Sequence, residues 1–204
     1  MDKKYIISLT FEEDNLFFKK MHNFRKRNSS SFSDSNIINL PLIAPFTLKE
    51  SKKSDDTFES FEEEISSFFI DENDVHSVTF TSLDVYKHYK KHLLYLNPRF
   101  SIDFYHCIEA LNELKKERAV SLKKKEAKSP YLIIGKFAFE QDFKEAHEAA
   151  AQEFWFPVDL NIKSIALFEK NAHHWSLKKT FFEFNHPNED FSSSEKSSTI
   201  KTSS

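Results

Sequence analysis

The chain has 204 residues with Lys+Arg 29 against Asp+Glu 32, a net charge of −3, so no global field gathers nucleic acid or anionic lipid and any polyanion site must be local. A single glycine excludes phosphate-binding loops, dinucleotide fingerprints and Gly-x-Ser-x-Gly elbows, and 23 Phe make phenyl rings the main filling of the core. One cysteine, Cys107, excludes an internal disulfide and suits a reducing compartment, the cytoplasm by default.

Residues 4–11 read as a first strand. From Glu12 the period changes, and Leu16, Phe17, Lys20, Met21 and Phe24 predict an amphipathic helix to about Arg27. The run Ile37-Ile38-Asn39-Leu40-Pro41-Leu42-Ile43 is too short for most helices and holds a proline, which predicts a strand near an edge or bulge. Phe58, Phe61, Ile65, Phe68 and Phe69 recur at helical spacing over 56–69. Val78 and Phe80 alternate with Ser77, Thr79 and Thr81 as a half-buried strand, and a hairpin connects it to a second strand at His92–Leu96.

Phe104, Cys107, Ile108, Leu111 and Leu114 mark the longest helix, whose far end turns basic from Lys115 onward. Pro130–Phe137 is a strongly apolar strand. Residues 141–154, with Phe143, Ala146, His147, Ala150 and Phe154, return to helical period ahead of Pro157, and two strands close the pattern near 158–169 and 175–185. Residues 1–186 then form one domain, and 187–204, almost without apolar side chains, are expected to be a disordered tail. With no membrane-length apolar run, no signal peptide, no membrane span and no membrane partner are expected.

This order of elements predicts an α+β fold of two lobes, with two small antiparallel sheets facing each other across a cleft and helices outside.

The same order resembles the 2H phosphoesterase superfamily of 2′-5′ RNA ligases and cyclic phosphodiesterases, over about residues 4–185. Members carry two His-x-Thr/Ser motifs, one per lobe. The second motif, Pro-His-hydrophobic-Thr-hydrophobic-Gly-Arg, resembles Pro130-Tyr131-Leu132-Ile133-Ile134-Gly135-Lys136, and the chain's only glycine falls on the motif's glycine. A helix, the aromatic turn Phe154-Trp155-Phe156, the strand around Ile165–Glu169 and a last strand opened by Trp175 follow in the family's order. For the first motif, Asn39-Leu40-Pro41-Leu42-Ile43-Ala44-Pro45-Phe46 puts Asn39 in place of the histidine and Pro41 in place of the threonine. A rival register built on Thr47-Leu48-Lys49 puts Pro45 there instead, and neither recovers a histidine.

In such enzymes the resemblance implies that one histidine protonates the leaving ribose oxygen while the other activates the attacking group. Asn39, Pro41, Tyr131 and Ile133 supply neither proton transfer near neutral pH, and each lost acid or base typically costs a hundred- to ten-thousandfold, on the order of. The expectation is therefore a domain that has lost phosphoesterase activity, acts as a monomer without cofactor or metal, and binds nucleotide or RNA at Asn39, Pro41, Tyr131, Ile133 and Lys136. Lys136, in place of the motif's cation, is the leading binding residue. Alternatives are an active phosphodiesterase or ligase with relocated groups drawn from His76, His173 or His174, and a protein-interaction scaffold.

Other polar clusters have ordinary readings. His88 and His92 stand four apart but lack a third ligand, so a solvated segment is favoured over a metal pair. His147-Glu148 lacks the second histidine of a zincin helix, because position 151 is Ala. The run from Lys115 to Lys128 suits a helix end and is a weaker candidate for phosphate contact.

Overall fold

Each long apolar period in the sequence has become one element. The computed structural model describes residues 3–28, 38–48, 58–68, 77–88, 91–121, 130–171 and 174–184. The elements are β1 (Tyr5–Phe11), α1 (Leu16–Asn28), β2 (Asn39–Pro41), β3 (Phe46–Leu48), α2 (Phe58–Ser67), β4 (Ser77–His88), β5 (Lys91–Arg99), α3 (Ile102–Arg118), β6 (Ala119–Ser121), β7 (Leu132–Phe137), α4 (Glu140–Glu153), β8 (Val158–Asn171) and β9 (His174–Glu183). The protein is an α+β fold with antiparallel strand pairing throughout. Residues 187–204 lie outside the described residues.

The expected order of elements is present, with β3 and β6 added. These three-residue strands pair with each other, Phe46 opposite Ser121 and Leu48 opposite Ala119, and three residues are too few to display a period. The strands form two antiparallel arrays that share β8. Val158–Leu160 and Asn161 pair with β4, Ile162–Glu169 with β1, and Ser164–Asn171 with β9. The 14 residues of β8 are enough to serve both arrays, so the two expected sheets are continuous through one strand.

One face of these strands carries the core. Leu9, Leu40, Leu94, Leu96, Leu132 and Ile165 are fully buried, and helices add Phe24, Ile65, Phe104 and Ala150 to the same cluster. Asn15 caps α1, its Oδ1 accepting from the Phe17 N–H at 2.8 Å and the Phe18 N–H at 3.4 Å. The helix thus begins at Leu16, which is 71% exposed, and Phe18, Met21, Phe24 and Arg25 form the buried stripe instead. Lys115 is likewise buried, so the basic end of α3 is not wholly a solvated face. Among the described residues no helix is long and apolar enough to cross a membrane.

Candidate functional site

Strand alternation decides where the expected site residues point. In Asn39-Leu40-Pro41 the central Leu40 is fully buried in the core, which turns Asn39 and Pro41 to the opposite face, where both are half-buried. Tyr131-Leu132-Ile133 repeats the pattern: Leu132 is fully buried and its neighbours are half-buried. β2 and β7 also approach one another, with Cα atoms of the two strands within 8 Å. The strand of the rival register, β3, pairs with β1 and β6, and its Thr47 is buried.

Beside β2, the ladder sets Ser8 opposite Pro41 and Thr10 opposite Asn39. Directly opposed residues share a face, so hydroxyls stand next to the positions aligned with the motif's histidine and threonine. Thr10 and Ser164 hydrogen-bond through their hydroxyls at 2.7 Å, while the Ser8 hydroxyl is buried with no hydrogen-bond partner.

On the other strand, pairing of Tyr95 with Ile133 and of Leu93 with Lys136 puts the expected residues of β7 on one face with Tyr95. The Tyr95 and Tyr131 rings lie 5.2 Å apart at 53°. Burial raises the Tyr95 pKa above its ordinary value, with smaller contributions from the charges of Asp84 and Tyr131. The Asn97 side-chain amide donates to Asp84 and, at 3.1 Å, to Ser82 on the same face. Gly135 falls on the core side opposite Leu94, where a Cβ would meet Phe137 Cε2 at 2.5 Å and Cζ at 2.7 Å. Space, not backbone angle, accounts for the chain's one glycine.

Arg25 escapes a reading by motif. Its guanidinium donates to the carbonyl of Ile133, and burial lowers its pKa to about 9. The signal was positional: Arg25 lies seven residues after Phe18 and four after Met21, on the buried stripe of α1.

Lys136 also borders an open recess of about 430 Å³, with Lys26 and Arg27 from α1 and Asp142 and Glu145 from α4. Arg27 is tied to Glu153 at 2.7 Å, and Asn39 and Tyr131 lie outside the recess lining. The structure therefore brings Tyr131, Ile133 and Lys136 onto one face, sets β2 close by, and gives Lys136 a second, mixed-charge environment.

Among the described side chains the Tyr95 face of β4, β5 and β7 carries no imidazole. His92 opposes Phe137 on the core side, with its ring 5.3 Å from that of Phe143 and its Nδ1 buried without a hydrogen-bond partner. It is thus half-buried rather than solvated, and His88 belongs to the paired strand β4, not to a shared helix. His147 stacks on Phe143 at 6.0 Å. His174 is exposed, while His76 and His173 lie outside the described residues. No three His, Cys, Asp or Glu side chains among the described residues converge as metal ligands.

Fold and site together define an α+β protein with one core face and one tyrosine-bearing sheet face. No protein-family model matches the chain, and no curated protein matches it.

Proposed function

We propose that the chain is a 2H phosphoesterase-like domain that binds a nucleotide or RNA between β2 and β7 and does not turn it over. One observation carries this reading: the two tripeptides aligned with the His-x-Thr motifs both bury their central leucine, turn their outer residues to the opposite face, and lie on strands that approach one another. Such an arrangement is what a phosphate held from two strands needs, with Asn39, Thr10 and Tyr131 as uncharged donors and Lys136 as the cation. Asparagine, proline, tyrosine and isoleucine at the four motif positions provide no acid–base pair for neutral pH. A lone half-buried cysteine suits the cytoplasm, where we place the protein.

The test combines binding and turnover. A nucleoside 2′,3′-cyclic phosphate is titrated into isotope-labelled protein, with backbone amide shifts followed by NMR and the phosphorus spectrum watched for ring opening. Shifts centred on Asn39 and Tyr131 without product are expected. Ring opening that disappears in the Asn39→Ala/Tyr131→Phe double variant would show an active enzyme, and an unchanged spectrum would remove the nucleotide reading.

A further inference from the structure

The second face of β4, β5 and β7 is open. Its residues are half-buried or exposed, whereas Phe80, Leu94, Leu96 and Leu132 on the reverse are buried. Three tyrosines occupy it. Tyr95 opposes Asp84 and Tyr86 opposes Leu93 across the β4–β5 ladder, which makes Tyr86 the diagonal neighbour of Tyr95, about 7–8 Å away. Tyr95 in turn touches Tyr131, their centroids 5.2 Å apart. The rings thus run obliquely over three adjacent strands, and Tyr86, at the outer end, is 49% exposed.

Cations flank this row on β7 and β5. Lys136 opposes Leu93, and Arg99, exposed, ends the β5 row that contains Tyr95 and Asn97. The acids on the face are engaged, Asp84 with the Asn97 amide and Asp159 with the Thr79 hydroxyl at 2.5 Å. Rings spaced along an open sheet, flanked by cations, match a ligand with successive flat faces on an anionic backbone. In a duplex those faces are hidden, so only a single strand offers them.

We propose that this face is a stacking platform for single-stranded nucleic acid, with bases on Tyr86, Tyr95 and Tyr131 and the backbone reaching Lys136 and Arg99. The inference rests on the nucleotide reading above, with which it shares Tyr131 and Lys136, and extends it to an oligonucleotide. Stacking addresses base faces and not the ribose 2′-hydroxyl, so DNA and RNA strands bind alike.

The test is fluorescence anisotropy of the full chain at low salt, using a labelled pyrimidine hexamer as DNA and as RNA, with a mononucleotide and a hexamer duplex for comparison. The single strands should bind at least tenfold tighter than the mononucleotide or the duplex. Tyr86→Ala and Tyr95→Ala should each weaken hexamer binding by about tenfold, whereas Tyr86→Phe and Tyr95→Phe should retain it, since the ring face does the work. Tyr86→Ala, at an exposed position, should leave the chain folded, with a cooperative melting curve. A hexamer that binds no tighter than the mononucleotide overturns the platform and leaves the nucleotide site standing. Failure of both ligands to bind overturns the two readings together. Equal binding of duplex and single strand, or a marked preference for RNA, overturns the stacking account.

Discussion

Arg25 in α1 donates a hydrogen bond to the main-chain carbonyl of Ile133 in β7, tying a helix near the start of the chain to the strand that carries half of the candidate site. Arg25 is 6% exposed, and burial lowers its pKa to about 9. Arg25→Ala removes the donor from a part-buried carbonyl and leaves a void, so it should cost about 3 kcal/mol. Arg25→Met loses the same bond but fills the space and removes the cost of burying a cation, so it should cost less than half as much. Urea unfolding of the two variants distinguishes these effects, and equal losses would mean that the lost hydrogen bond, not the volume, matters.

Gly135→Ala should destabilise by about 1–3 kcal/mol, the usual range for overpacking a core. The added methyl would lie 2.5 Å from Phe137 Cε2, and that ring is itself held by Phe143 with centroids 6.0 Å apart. In a Phe137→Leu background the penalty should shrink, since a smaller side chain opposes the methyl. Additive effects in the double variant would place the strain elsewhere.

Much of this fold was legible because each long element carried its own period. Which way Asn39 and Tyr131 face was not legible, because Ile37–Ile43 and Pro130–Phe137 are apolar runs without strict alternation, and the core-side burial of Leu40 and Leu132 emerges only in the structure. What escaped the sequence was set by long-range register. Tyr86 and Tyr95 share a face with Tyr131 only through the β4–β5 and β5–β7 ladders, including a bulge between Leu94 and Tyr95. β3 and β6 are too short to show a pattern, and Leu16 yielded its core position to Phe18 because the Asn15 cap set where α1 begins. Arg25 and Lys115 were hidden for a different reason: a cation is read as surface until a partner is seen.

Ser8→Ala should stabilise the protein by about 1 kcal/mol, because its hydroxyl is fully buried and makes no hydrogen bond. Thr10→Val at the next position on that face should do the opposite, since it breaks the 2.7 Å bond with Ser164 and leaves the Ser164 hydroxyl buried. Thermal melts of the two variants should therefore shift in opposite directions. A destabilised Ser8→Ala would mean that the hydroxyl has a partner in solution.

Tyr95 links the site to alkaline pH. Burial is the main cause that raises its pKa, and the charges of Asp84 and Tyr131 add to it. A phenol raised above its ordinary 10.0 stays protonated in the folded chain while the unfolded chain releases its proton. The contribution to stability is therefore complete below pH 10.0 and is lost as pH rises through the elevated folded value. Asp84→Asn removes one of the charges that opposes the tyrosinate, so Tyr95 should titrate closer to its ordinary value. Followed by tyrosinate absorbance, one transition should move to lower pH in Asp84→Asn and disappear in Tyr95→Phe. The same substitution should flatten the alkaline fall in stability relative to the parent chain. If Asp84→Asn leaves that transition in place, burial and Tyr131 set the shift and the carboxylate, held by Asn97, is electrostatically silent toward Tyr95.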